Sequence, residues 1–315
     1  MPSRRTLMKQ AAATVGVALL GPRTMSLAAA DDSALTAAPL SSDMGLRAIP
    51  VSGERLPVIG MGSSGSFETG NTAAELDPLR EVLQRFFAGG GTVVDTAPSY
   101  STAEAVIGEL LSELGLRPKA FIATKLSSVG REAGLRQFNT SLERLKTDRV
   151  ELLQVHNLLD WKAQFALIEE LKAQGKVRYS GLTHYQDSGH EALEAVVRQV
   201  KPDFIQINYS VVSTHAEQRL FPLAREQGVA VLINRAFEDG RLFARVSGKP
   251  LPAWAGEAGI SSWAQAFLKF ALSHPAVTAV IPATGKPERQ SDNLRAGAEP
   301  TLSAAQRRDL IALFT

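Results

Sequence analysis

Short β-branched runs alternate along this chain with stretches whose apolar positions recur every three or four residues. The runs Leu56–Gly60, Thr92–Asp95, Ala120–Thr124, Val150–Val155, Lys176–Gly181, Asp203–Ile207, Val229–Ile233 and Val277–Ile281 predict strands. Between them, Leu135, Phe138, Leu142 and Leu145 share one helical face, as do Leu193, Val196, Val197 and Val200. Gly115 and Gly175 stand where helix C-caps belong. Strand starts recur at roughly thirty residues, the size of a strand–helix–strand unit whose parallel strands need right-handed crossovers. Eight such units over about 270 residues match an α/β (β/α)8 TIM barrel. A doubly wound open sheet is the rival, but the even spacing shows no switch in pattern and favours closure.

The N-terminus breaks this pattern. Ser3-Arg4-Arg5-Thr6-Leu7-Met8-Lys9 is basic, a mildly apolar run follows from Gln10 to Leu20, and Ala28-Ala29-Ala30 precedes Asp31-Asp32. That order predicts an export signal over residues 1–30, cleaved after Ala30. The Arg4-Arg5 pair resembles a twin-arginine signal, which implies a periplasmic address. The apolar run is shorter than the roughly 18 residues of a membrane span, so no stable membrane anchor is expected. A Ser/Ala/Pro-rich linker over residues 31–44 leads to a barrel domain over residues 45–315.

Composition narrows the chemistry. The chain has 315 residues, 44% of them hydrophobic, with 34 Lys+Arg against 32 Asp+Glu. Residues 1–30 hold Arg4, Arg5, Lys9 and Arg23 and no acid, so the remainder is slightly acidic and no nucleic-acid partner is expected. The absence of cysteine excludes disulfide scaffolds, thiolate metal sites and a catalytic Cys.

Barrel enzymes carry their chemistry where strands end and βα loops begin. Those positions read Gly62, Asp95, Lys125, His156, Thr183, Asn208, Asn234 and Ala283, with Tyr100 in the loop after Asp95. A two-metal hydrolase needs several carboxylates there, and the set has only Asp95. Lys125 as an ammonium is expected to stabilise a Tyr100 phenolate and lower a pKa that starts at about 10. Asp95 would neutralise and orient that Lys, and His156 would hydrogen-bond a substrate carbonyl. Together they make a general acid for a carbonyl oxygen while hydride arrives at carbon. Taken singly, each residue has an ordinary explanation: Asp95 as a helix cap, Tyr100 as packing, Lys125 as surface charge, His156 as a satisfied buried histidine.

Asp95-Thr96-Ala97-Pro98-Ser99-Tyr100, Ala123-Thr124-Lys125-Leu126 and Leu152-Leu153-Gln154-Val155-His156-Asn157 resemble the catalytic motifs of the aldo-keto reductases. The resemblance runs from about Ile49 to the C-terminus and begins with an N-terminal β-hairpin. It implies Tyr100 as the acid–base residue with Asp95, Lys125 and His156 as partners, and NADP(H) as cofactor. It further implies that Gly62 and Ser63 line the nicotinamide end, and that Thr183, His184 and Gln206 stand at the carboxamide positions. His184 departs from the family's usual Asn. Asn234 falls where the family commonly stacks a Tyr on the nicotinamide, with Arg235 and Phe237 beside it. Thr284, Lys286, Arg289 and Asn293 would hold the adenosine end, Arg289 at the 2′-phosphate. The long stretch Asn234–Ile260 is expected to clamp the cofactor.

Gly60-Met61-Gly62-Ser63-Ser64-Gly65 formally matches G-x-G-x-x-G, but no helix pattern begins directly after it and no acid closes a second strand near twenty residues on. The resulting expectation is an exported reductase of small-molecule aldehydes or ketones. A cofactor-binding sensor or subunit with little turnover is the alternative, and a metal-dependent barrel hydrolase or epimerase is weaker still. Ser303–Phe314 reads as a last helix capped by Ser303, with no long loop after it, which predicts an open pocket.

Overall fold

A computed structural model describes residues 43–315. The expected export signal and residues 31–42 of the expected linker lie outside the described residues.

The chain opens with an antiparallel hairpin, β1 (Leu46–Ala48) and β2 (Arg55–Pro57). Eight parallel strands follow: β3 (Met61–Gly62), β4 (Val93–Asp95), β5 (Phe121–Leu126), β6 (Val150–His156), β7 (Val177–His184), β8 (Phe204–Asn208), β9 (Ala230–Asn234) and β10 (Ala279–Val280). Helices alternate with them: α1 (Ala73–Ala88), α2 (Ala103–Glu113), α3 (Arg131–Arg144), α4 (Trp161–Ala173), α5 (His190–Val200) and α6 (Leu220–Gln227). Two helices, α7 (Arg241–Val246) and α8 (Trp263–Leu272), lie between β9 and β10, and α9 (Pro287–Arg295) and α10 (Ala304–Ala312) complete the chain. Each strand pairs with its sequence neighbour. The sheet curls until its first and last strands meet through the bridges Ile59–Val280 and Gly62–Ala283. This is the TIM barrel that the spacing of the strands predicts.

The hairpin plugs one end of the barrel. Ile49 and Leu56 are buried in one cluster with Val93, Phe121, Leu152, Phe204, Leu232 and Ile281 inside the barrel. Truncating such a plug residue to Ala would cost about 2–5 kcal/mol through the cavity left behind. Arg47 adds a polar tie, donating to the carbonyls of Leu272, His274 and Val277 just past α8, where the helix dipole favours a cation. A second, larger core fills the space between strands and helices; it includes Phe138, Leu193, Val196 and Val197 from the faces read in the sequence.

Local signals behave as their chemistry requires. Gly115 and Gly175 have φ of 64° and 73° and sit one residue past the caps of α2 and α4. There the N–H groups of Leu116 and Lys176 reach back to Leu111 and Leu171 at 2.9 and 3.0 Å, closing Schellman motifs. Ser303 caps α10 in a capping box with Gln306.

Strand boundaries differ from the sequence reading mostly toward later positions, while β4 ends at Asp95 as expected and β10 stops at Val280, one residue before the expected end. Leu56 belongs to the hairpin, and the first barrel strand begins later, at Met61. β5, β6 and β7 run on through Lys125, His156 and His184. Hydrophobic patterning ends where side chains turn polar, but the backbone ladder does not, so these polar residues prolong the strands.

Candidate active site

Asp95 ends β4 and lies level with Gly62 on β3 and Ala123 on β5. Farther round the barrel, His156, Thr183 and Gln206 are level with one another across β6, β7 and β8. The four expected catalytic residues are thereby brought together at the C-terminal ends of the strands. Lys125 Nζ donates to Asp95 Oδ2 at 2.7 Å and to the Thr96 carbonyl at 2.8 Å, anchoring the start of the loop that carries Tyr100. The ammonium lies 4.9 Å from the Tyr100 ring centroid. The Tyr100 and His156 rings meet edge to face, with centroids 6.1 Å apart. Ser99 Oγ is 3.5 Å from His156 Nδ1.

Asp95 receives more than Lys125. Gln206 Nε2 donates to Oδ1 at 2.7 Å and Gln154 Nε2 at 3.3 Å. Gln154 was not singled out in the sequence; its signal is a polar residue between the apolar Leu153 and Val155 of β6, in register with Lys125. A Cβ at Gly181 would stand 2.7 Å from Gln154 Cγ, so the side chain of Gln154 needs a glycine beside it.

Burial governs the titration of this group. The Lys125 ammonium is opposed by its burial, yet Asp95 and Tyr100 outweigh that and hold its pKa above the usual value. For Tyr100 the balance is the reverse of the sequence expectation. Burial raises the phenol, Lys125 pulls it down, Asp95 pushes it up again, and the net shift is upward. Tyr100 is therefore a firmly protonated acid. Burial, with Lys125 and His184 adding repulsion, lowers His156 to about 4, so its imidazole is neutral at neutral pH.

A cleft of about 1070 Å³ opens in front of these groups. Asp95, Tyr100 and His156 line it, whereas Lys125, 1% exposed, sits behind. Of the expected cofactor residues, Gly62, Ser63, Thr183, Gln206, Asn234, Arg235, Thr284, Lys286 and Arg289 line the same cleft. His184 and Asn293 do not. Alternation along β7 sends His184 to the face opposite Thr183, where its ring packs over Gly189 and accepts from the Gln186 N–H. Asn293 lies on the buried side of α9, 2% exposed. Ser64 and Gly65, from the expected glycine-rich stretch, line it too, as do Ser66, Asn157 and Tyr185, which the sequence reading had not placed there. The stretch from Asn234 to Ile260 contributes Phe237, Gly240 and Phe243.

The donor set fits a nicotinamide dinucleotide. Ser63 Oγ and Asn234 Oδ1 are buried in the cleft wall without a hydrogen-bond partner, a costly state that a polar ligand relieves. Gln206 spends its amide hydrogens on Asp95 and Gln154, and its Oε1, already accepting from Asn234, retains one lone pair. Lys286 caps α9 and Arg289 follows on its first turn. Neither pairs with a carboxylate among the described residues. The acids beside them are engaged elsewhere: Glu288 with Arg85 at 3.5 Å, and Asp292 with Ser262 and Gln265 at 2.5 Å each.

A parallel barrel with a buried Lys–Asp pair behind a cleft-facing Tyr and His is the arrangement that the resemblance to the aldo-keto reductases implies. The match of residues 58–313 to the Aldo/keto reductase family model places the chain in that family of oxidoreductase enzymes. It is 28% identical over 236 residues to methylglyoxal reductase YeaE of Escherichia coli, covering 71% of this chain and 80% of that protein. It is also 28% identical over 246 residues to a glyoxal reductase of Bacillus subtilis, covering 76% and 83%. Other relatives are matched over 50% and 58% of their length. Among solved structures, an aldo-keto reductase from Klebsiella pneumoniae in complex with NADPH superposes with a TM-score of 0.71 at 26% identity, covering 83% of this chain and 92% of that one.

Proposed function

We propose that the protein uses NADP(H) to reduce a small aldehyde or ketone to an alcohol, with Tyr100 as general acid. The observation that carries this reading is a protonated Tyr100 and a neutral His156 facing one cleft, with the Lys125–Asp95 pair buried behind the phenol. The nicotinamide, when bound, supplies the hydride. The chain's own residues do the rest. His156 donates a hydrogen bond that orients the substrate oxygen, and Tyr100 gives that oxygen its phenolic proton. The ammonium of Lys125 stabilises the phenolate left behind, and Asp95 holds Lys125 in place.

Ser63, Thr183, Gln206 and Asn234 would hold the nicotinamide end, Arg235 the diphosphate, and Thr284, Lys286 and Arg289 the phosphorylated adenosine end. The methylglyoxal and glyoxal reductases among the relatives support small 2-oxoaldehydes as the first substrates to try. Mixing the protein with NADPH and a panel of such aldehydes, while following NADPH absorbance, tests the reading. Binding without consumption would favour the sensor alternative, which the placement of His184 outside the cleft motivates. For the address, the Arg4-Arg5 signal supports export to the periplasm by a twin-arginine route.

A further inference from the structure

The segment after β9 leaves the barrel in a strained backbone state. Arg235, Glu238 and Asp239 have φ of 55°, 51° and 55°, and Gly240 follows at 85°. Residues with a side chain rarely adopt such angles, and three within five positions is a local cost that other contacts must offset. The conformation folds Asp239 back onto Arg235, carboxylate to guanidinium at 2.6 Å. The same guanidinium lies over the Tyr185 ring, 5.3 Å from its centroid. Arg241 also reaches Asp239, at 3.5 Å, and Glu238, at 3.0 Å. Arg235, Asp239 and Tyr185 all line the cleft.

The cleft thus offers cations of two kinds. Lys286 and Arg289 have no carboxylate partner among the described residues, while Arg235 is already neutralised by an acid of its own loop. Strands β9 and β10 are neighbours, so the loops bearing the two kinds of cation border the same part of the cleft. NADP(H) carries two anionic groups, a diphosphate and a 2′-phosphate, and the unpaired cations account for one of them.

We propose that Asp239 sets cofactor affinity by occupying Arg235 in place of the cofactor's diphosphate. The proposal rests on the reading of the cleft as an NADP(H) site. Binding exchanges one anion for another at a single guanidinium, so the new ion pair forms at the expense of the old one. In the resting protein the exchange keeps Arg235 paired and its loop folded. It also weakens binding relative to an unpaired arginine, which favours release of the cofactor.

Titration with NADPH, followed by nucleotide fluorescence without substrate, tests this. The Asp239→Asn variant is expected to bind about two- to fivefold more tightly, the range for a partly exposed ion pair. Arg235→Ala should bind more weakly, and adding Asp239→Asn to it should change nothing further. Glu238→Gln removes the same charge one residue earlier from a carboxylate that pairs with Arg241 and Ser210, not with the Arg235 guanidinium, and should leave affinity nearly unaltered. Tightening of equal size in the Arg235→Ala background would assign the gain to a general loss of negative charge and overturn the proposal. Unchanged or weaker binding by Asp239→Asn, beside a wild type that binds NADPH, would overturn it alone. A wild type that binds no NADPH would overturn the functional reading and this proposal together.

Discussion

Gln206 Nε2 lies 2.7 Å from Asp95 Oδ1, although the two residues stand on strands β8 and β4, on opposite sides of the barrel. Asp95 is therefore more than a counter-ion. It draws together Lys125 from β5, Gln154 from β6 and Gln206 from β8, and Gln206 in turn accepts from Asn234 on β9 at 3.3 Å. A continuous polar chain crosses the barrel from the side of Lys125, behind Tyr100, to the side expected to hold nicotinamide.

Replacing Asp95 with Asn keeps the shape of this hub and removes its charge. The buried Lys125 is left uncompensated, and such losses run to about 3–5 kcal/mol. A denaturant titration at neutral pH should show that destabilisation. In the wild type the Lys125 pKa is raised, so its stabilising effect is complete below 10.5 and is lost as pH climbs through the higher folded value. Melting temperature should fall at alkaline pH more steeply in the wild type than in the Asn variant.

Tyr100→Phe keeps the ring and deletes the acid. Carbonyl reduction should drop by roughly 10²–10⁴ while NADPH affinity stays close to normal. Because the Tyr100 pKa is raised, the wild-type rate of reduction should not decline from loss of this proton until pH exceeds the ordinary tyrosine value. Near-normal turnover by the Phe variant would remove Tyr100 from the mechanism.

His156 should remain neutral until about pH 4, where an unperturbed histidine would charge near 6.5. A depressed histidine contributes stability that is present above 6.5 and lost as pH falls toward 4, in total about 3 kcal/mol. An NMR titration of the imidazole resonances checks this directly. A midpoint near 6.5 would show that the ring is far more hydrated than its burial implies.

Arg289→Ala should weaken NADPH binding by on the order of ten- to a hundredfold and NADH binding far less, since charged hydrogen bonds are worth about 1.5–3 kcal/mol. Nearby Glu288 and Asp292 do not compete for the phosphate, because each is held by other partners. Equal losses for the two cofactors would detach Arg289 from the 2′-phosphate.

For the proposed address, replacing Arg4-Arg5 with Lys-Lys should retain the protein in the cytoplasm, as fractionation would reveal. Normal export of that variant would point to an ordinary secretory signal instead.

The barrel was legible because parallel strands buried on both faces read as apolar runs, and their spacing carries the topology. Three of the four expected catalytic residues could be picked out because strand ends are where polar residues interrupt those runs, and Tyr100 because it lies in the loop just past one of them. Gln154 was missed because a single inward glutamine changes no periodicity; its meaning comes from a carboxylate two strands away. The direction of the Tyr100 shift was missed for a related reason. Spacing reveals that Lys125 is near, but not that burial of the phenol outweighs it. Asp239 was hidden by its backbone, since three left-handed residues fold it onto Arg235 and no pattern of side chains announces them.

The seam between β3 and β10 has a consequence for how the molecule breathes. These are the shortest strands of the barrel, two residues each, and they meet only through isolated bridges. A Cβ on Gly62 would stand 2.9 Å from the Ile281 carbonyl oxygen, so the seam stays zipped only while that position has no side chain. In deuterium exchange, amides at Gly60, Gly62 and Val280 should label well before those of β5 to β7, whose ladders are longer. A seam that opens in this way would loosen the cleft wall where Ser63 and Thr284, the residues next along from it, line the cleft.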